Sequence, residues 1–154
     1  MTAPHIRPYI RALAALFVVA AACSDSTASK QPPATLAGTW TATKVEYVQA
    51  SNTSNKVDIV PLGGSATLVL NADSTFQFTI TQPGEGPFVV TGHWSATGEE
   101  MTLNYNMPGF TGTWQFDLAL NENSLSLNGA HTDYDVNNDG TNEDARLNLA
   151  MTRG

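Results

Sequence analysis

The sequence predicts an all-β fold, and an eight-stranded antiparallel up-and-down barrel is its simplest arrangement. From Leu36 onwards apolar residues recur mostly at every second position, and turn-forming residues interrupt them about every ten residues. This alternation is typical of half-buried strands, and no window of about 11 residues after Cys23 has helical spacing. Short connections favour antiparallel neighbours, and closing eight strands into a barrel removes exposed edges. A two-sheet β-sandwich is the alternative.

The predicted strands follow one another along the chain with short turns between them. They cover residues 39–48, 66–70, 75–81, 88–96, 101–106, 112–120, 125–136 and 147–151. A looser stretch, residues 51–64, contains the apolar residues Val57 and Ile59 and could supply a ninth strand. Near Gly129 and Ala130 the apolar positions change phase, which predicts a β-bulge in that strand.

The first 23 residues have the pattern of an export signal that ends in a cysteine. Residues 1–11 are basic, and residues 12–22 form an apolar run that is too short to span a bilayer. Three alanines, residues 20–22, then precede Cys23, the only cysteine in the chain. This arrangement resembles the lipobox of bacterial lipoproteins, which implies lipidation of Cys23. The alternative is an ordinary signal peptide cleaved after Ala22.

These features divide the chain into three parts. Residues 1–22 are the predicted lipoprotein signal peptide, residues 23–35 the lipidated cysteine and a flexible tether, and residues 36–154 the barrel domain. The expected location is therefore the cell envelope, where the N-terminal lipid holds the exported protein to a membrane. Ser24 does not resemble an inner-membrane retention signal, which favours the outer membrane where the organism has one.

The charge of the mature chain restricts its partners. After residue 22 the chain keeps 5 of its 7 Lys and Arg and all 14 Asp and Glu, a formal charge of −9. Such a surface repels phosphate backbones, so we do not expect nucleic acid as a partner. A single cysteine also excludes an intrachain disulfide and a cysteine-rich zinc site.

Each of the three tryptophans stands two positions after a glycine, as in Gly38-Thr39-Trp40. A glycine on the same strand face leaves space that an aromatic ring can cover, and it lets the strand bend. The segment from Leu36 to Trp40 resembles the opening of lipocalins and of bacterial lipocalin-like proteins. In that family an arginine near the chain end stacks over the first tryptophan, so the resemblance implies a contact between Arg153 and Trp40.

An acidic loop between the last two predicted strands is a candidate calcium site. Residues 133–144 include five acidic residues, and part of the segment follows the D-x-N-x-D-G pattern of calcium loops. The candidate ligands are Asp135, Asn137, Asp139, the carbonyl of Thr141, and Glu143. Arg146 stands where such loops place a bidentate glutamate, so we expect any calcium to be weakly bound and structural. The alternative is a solvated hairpin loop.

The sequence contains none of the common catalytic motifs, which indicates a protein that is not an enzyme. We expect a membrane-anchored lipocalin-like protein that binds a small apolar ligand. The alternative is a structural or protein-interaction lipoprotein whose barrel is filled by its own side chains. An enclosed apolar cavity of a few hundred cubic ångströms would distinguish the first function from the second.

Overall fold

Nine β-strands and one short 3-10 helix make up the regular structure of residues 35–154, the part of the chain that this computed structural model describes. The strands are β1 (Gly38–Gln49), β2 (Lys56–Asp58), β3 (Ser65–Leu70), β4 (Thr75–Thr81), β5 (Pro87–Thr97), β6 (Glu100–Met107), β7 (Phe110–Leu120), β8 (Ser124–Tyr134) and β9 (Glu143–Arg153). The helix covers Val60–Leu62.

Eight of the strands close into an antiparallel up-and-down barrel. The order β1-β3-β4-β5-β6-β7-β8-β9 follows the chain, and β9 pairs with β1 to complete the circle. This closing ladder is long, because it runs from Trp40 opposite Arg153 to Gln49 opposite Ala145. The predicted eight-stranded barrel is therefore confirmed, and the sandwich alternative is wrong.

The ninth strand lies outside the circle. β2 pairs with the second half of β1, beside Glu46–Val48, and the 3-10 helix then leads the chain into β3. The Asp58 carboxylate fixes this connection, since its Oδ1 accepts bonds from the backbone N–H groups of Val45 and Val60, each at 3.1 Å. The looser stretch thus supplies a short flanking strand and a buried side chain, Ile59, to the core.

Two β-bulges bend the wall. The predicted bulge in β8 is confirmed, because the pairing with β9 shifts between Leu127 and Ala130. The extra N–H, on Gly129, donates to Oδ1 of Asn148 at 2.9 Å. A second bulge, which the sequence pattern did not predict, lies in β1 between Ala42 and Lys44. There the hydroxyl of Thr43 donates to the carbonyl of Ala150 at 3.1 Å.

The barrel has two ends with different loops. At the lower end are the start of β1, the end of β9 and the short turns 71–74, 98–99 and 121–123. At the upper end are the connections 50–64, 82–86, 108–109 and 135–142, which include the acidic loop. The two ends therefore present very different surfaces to a partner.

The wall is incomplete toward the upper end. β7 and β8 have 11 residues each, yet they pair only between Asp117–Leu120 and Leu125–Asn128. On the other side of the β6–β7 hairpin, the pairing of β5 with β6 stops at Gly92 opposite Tyr105. The tip of this hairpin is therefore separated from both neighbouring strands.

The predicted signal peptide, Cys23 and the tether up to residue 34 lie outside the described residues. Within residues 35–154, no helix has the length and apolar character needed to cross a membrane.

Candidate functional site

The lower end of the barrel is closed by the residues that carry the resemblance described above. The Trp40 side chain is fully buried, and its indole Nε1 donates to the carbonyl of Leu36 at 2.9 Å. The guanidinium carbon of Arg153 lies 4.3 Å from the centroid of the Trp40 ring. The same guanidinium donates to the carbonyls of Thr35 and Ala37. Arg153 thus holds the segment before β1 across the lower end.

Gly38 makes this closure sterically feasible. Its φ is +144°, and a Cβ placed on it would lie 2.5 Å from Nη1 of Arg153. A larger residue would therefore push the guanidinium away from the indole ring. Gly38 therefore leaves the space that the Arg153 guanidinium needs to cover the Trp40 ring.

The interior above Trp40 is filled with apolar side chains from every strand of the wall. Its members are all less than a tenth exposed, and the larger ones are Leu68, Leu70, Phe76, Phe78, Trp94, Met101, Leu103, Phe116, Leu125, Leu127, Leu149 and Met151. Eight-stranded barrels are just wide enough to be filled in this way. The lower and middle parts of the barrel are thus a packed core.

Two stacked tyrosines lie above this core at the upper end. The rings of Tyr47 and Tyr134 are parallel to within 4°, with 3.8 Å between their centroids. Gln82 joins their hydroxyls: its Nε2 donates to Tyr47 at 3.0 Å, and its Oε1 accepts from Tyr134 at 3.3 Å. Three side chains, from β1, from β8 and from the first residue after β4, are thereby fixed in one arrangement.

The surroundings of the two tyrosines disfavour their ionised forms. Burial is the main cause that raises the pKa of Tyr47 from 10.0 to about 12, and the neighbouring Tyr134 adds to it. The pKa of Tyr134 is also raised, first by burial and then by the negative charges of Asp135 and Glu85. Both hydroxyls therefore stay protonated at neutral pH and can serve as hydrogen-bond donors.

A recess of about 650 Å³ opens to solvent at the upper end. We call it the upper recess. It lies among the β1–β3 connection, the β4–β5 turn and the β8–β9 loop. Its walls are formed by Val57, Leu62, Gln82, Pro83, Glu85, Asp133, Tyr134, Asp135, Val136, Asn138 and Asn142. Gln82 donates a hydrogen bond to the buried Tyr47, and Tyr134 stacks on the Tyr47 ring, so both residues connect the recess to the core.

A row of aromatic rings also reaches the upper end, along the separated β6–β7 hairpin. The ring of Trp114 lies edge-on to the buried Phe78, with 5.9 Å between centroids, and 4.6 Å from Tyr105. Tyr105 in turn stacks on Phe110 at 5.8 Å. Phe110 is 60% exposed, so the row runs from the core into solvent.

The acidic loop brings three of its predicted ligands together. Carboxylate oxygens of Asp135, Asp139 and Glu143 lie within 4.8 Å of one another. Asn137 is next to them, since its amide nitrogen donates to Asp139 at 3.0 Å and its oxygen accepts from the Asp139 N–H. Thr141 is tied to the same loop through its own N–H, which donates to Oδ1 of Asp139 at 2.9 Å. The group has the oxygen donors that calcium prefers.

The same carboxylates also stabilise the loop without an ion. The two oxygens of Asp135 accept the N–H groups of Asp139 and Gly140, and Glu143 accepts the N–H of Val136. These bonds leave further lone pairs on each carboxylate, so a cation and the loop bonds are compatible.

Three side chains that join the upper recess to the core were not predicted from the sequence. Tyr47, Gln82 and Tyr134 are separated by dozens of positions and come together only because the barrel closes. No local spacing could have revealed them. Glu85 and Leu62 likewise stand in Gly- and Pro-containing segments of the sequence that are typical of turns.

Comparisons with known proteins show a likeness to solved structures alone. Neither a protein-family model nor a curated protein matches the chain. Among solved structures, the chain is similar to the crystal structure of a lipocalin-like protein from Bacteroides uniformis. The two share 19% sequence identity with a TM-score of 0.47, and the likeness covers 78% of this chain and 99% of the other.

Proposed function

We propose that this protein is a lipid-anchored, lipocalin-like protein of the cell envelope that binds a small, largely apolar ligand at the upper end of its barrel. The observation that carries the proposal is the upper recess. Its volume of about 650 Å³ lies within the range of roughly 300–1,000 Å³ that is typical of small-molecule sites. The interior below it is packed, so the described residues lack the enclosed cavity expected of a ligand-binding barrel, and the proposal places the ligand at the open mouth instead.

The recess combines contact surface with fixed polar groups, as small-molecule sites do. Val57, Leu62, Pro83 and Val136 offer apolar contacts, while Gln82 and Tyr134 offer hydrogen-bonding groups. The bonds between Gln82 and the two tyrosines hold these groups in place before a ligand arrives. Such preorganisation reduces the entropy lost on binding.

The position of the tether suits this function. Thr35, the first described residue, is bonded to Arg153 at the lower end, opposite the recess. Cys23, the predicted lipidation site, precedes Thr35 by 12 residues. A lipid on Cys23 would therefore hold the barrel from its closed end and leave the recess accessible.

Native mass spectrometry of residues 24–154, purified from the periplasm without detergent, tests ligand binding. We expect an added mass that organic extraction removes. Val57→Trp, which places an indole in the recess, should lose this mass, whereas Thr91→Trp on the exposed outer wall should keep it. A wild-type protein that carries no cargo would contradict the proposal and favour the alternative, a structural lipoprotein with a self-filled barrel.

Metabolic labelling with a fatty acid tests the anchor. The full chain should incorporate the label and sediment with membranes, and Cys23→Ala should do neither. Ser24→Ala is the matched control, because it changes the adjacent position and leaves the thiol in place. Membrane association that persists in Cys23→Ala would show that something other than lipid on Cys23 holds the protein.

A further inference from the structure

We infer that the ligand of the upper recess is a small amphipathic cation, that is, an amine or ammonium group on a short apolar body. This inference rests on the proposed function and specifies the chemical class of the ligand. It follows from the sign of the charges that surround the recess, from the location of the basic residues, and from the apolar part of the lining.

Every ionisable wall residue that is charged at neutral pH is an acid. Glu85 comes from the β4–β5 turn, and Asp133 and Asp135 come from the other side, at the end of β8 and the start of its loop. Within residues 35–154, none of these three carboxylates has a basic side chain within 4.0 Å. The recess therefore has a negative potential that the described part of the protein leaves uncompensated.

The basic side chains of the described chain are committed elsewhere. Lys44 and Lys56 both pair with Glu46, at 2.7 and 3.8 Å. Arg146 lies 3.9 Å from Asp144, and Arg153 covers Trp40 at the lower end. These are the only Lys and Arg among residues 35–154, so no described Lys or Arg neutralises the acidic wall of the recess.

The rest of the lining determines what the cation is attached to. Val57, Leu62 and Pro83 offer carbon surface, and the ring of Tyr134 adds an aromatic face to which a cation is attracted. A metal ion would make no favourable contact with the carbon surface. An alkylammonium or arylammonium ligand would contact both the carboxylates and the apolar side chains of the wall. Each exposed carboxylate alone contributes little to the binding free energy of a cation. The preference for a cationic ligand therefore depends on several carboxylates acting together.

Three probes with eight-carbon chains and different head groups test the inference: octylamine, octan-1-ol and octanoate, each titrated at neutral pH by isothermal calorimetry into residues 24–154. We expect octylamine to bind about tenfold more tightly than octan-1-ol, and octanoate to bind most weakly, because opposite charges attract and like charges repel. Added salt should reduce this difference.

Substitutions of acidic residues test whether the carboxylates of the recess cause the preference for octylamine. Glu85→Gln combined with Asp133→Asn should reduce the preference for octylamine over octan-1-ol to about threefold or less. Glu122→Gln combined with Asp117→Asn removes two acids that do not line the recess and should leave the preference unchanged. All four side chains are exposed, so both double variants should fold, which circular dichroism verifies.

The outcomes separate the inference from the function on which it rests. Equal binding of the three probes, or tighter binding of octanoate, would overturn the cationic ligand and retain the binding site. A preference that survives Glu85→Gln with Asp133→Asn would also overturn it, since the charge would then lie elsewhere. If none of the probes bound, the cationic ligand would be overturned, and the proposed binding function would fail with it only where native mass spectrometry also showed no cargo.

Discussion

The guanidinium of Arg153 lies 4.3 Å from the centre of the Trp40 ring, and the two residues stand directly opposite each other where the last strand pairs with the first. The arginine therefore acts where the first and last strands of the barrel meet. It combines a cation–π contact with bonds to the carbonyls of Thr35 and Ala37.

Arg153→Ala should lower the free energy of unfolding by about 1–2 kcal/mol, because the cation–π contact and the carbonyl bonds are lost together. Urea denaturation measures this change. Arg146→Ala, which removes only an exposed ion pair with Asp144, should change the same quantity by less than about 0.5 kcal/mol. Equal effects would show that Arg153 contributes no more than a surface charge.

Gly92→Ala should destabilise the barrel by about 1–3 kcal/mol, the usual cost of forcing an extra methyl group into a packed site. A Cβ at Gly92 would meet the backbone of Asn104 and Tyr105 on β6, which cannot move aside as a flexible side chain can. Gly86→Ala is the matched control, since a Cβ there meets nothing within 4 Å. Its unfolding midpoint in urea should stay near that of the wild type.

The protein should lose stability in alkaline solution through Tyr47. The folded-state pKa, about 12, lies above the unfolded value of 10.0, so folding favours the protonated form. This contribution is fully present below about pH 10 and is lost as the pH rises to about 12, a decrease of about 2–3 kcal/mol. Urea midpoints measured across this interval test the prediction. Tyr47→Phe should remove most of the decrease, and an unchanged decrease would assign it to other groups.

Calcium at millimolar concentration should stabilise the protein through the acidic loop. A ligand present at ten times its dissociation constant stabilises the folded state by about 1.4 kcal/mol. Asp139→Ala should abolish the calcium-dependent rise in melting temperature, because Asp139 lies at the centre of the group. Asp117→Ala, outside the loop, should retain it. A wild-type melting temperature that does not respond to calcium would identify the loop as a hairpin stabilised by its own hydrogen bonds.

Local patterns were sufficient for most of the barrel. Alternation around Phe76, Phe78 and Ile80 identified β4, and the change of phase at Gly129 located the bulge in β8. The bulge at Thr43 moves the buried positions of β1 from Trp40, an even-numbered residue, to the odd-numbered Val45 and Tyr47. The residues between Trp40 and Val45 are small or polar and mark neither face, so the position of the shift was not predicted. The short β2 has three residues, too few for any periodicity.

The upper recess could not be predicted for a different reason. Its position depends on which loops meet at one end of a closed circle, and that depends on the register of every ladder between them. Tyr47 and Tyr134 illustrate this: each is one of several inward-facing aromatic residues in the sequence, and only closure of β9 onto β1 selects them as a stacked pair.

The short ladder between β7 and β8 has a consequence for how the molecule moves. The tip of the β6–β7 hairpin is bonded to the wall only through its own turn and its lower half, so it can swing outward without breaking a ladder bond to β5 or β8. Amide hydrogens facing these gaps should exchange with solvent faster than those of the β1–β9 seam. The barrel thus combines a stiff base with a hairpin tip at the upper end that can move on its own.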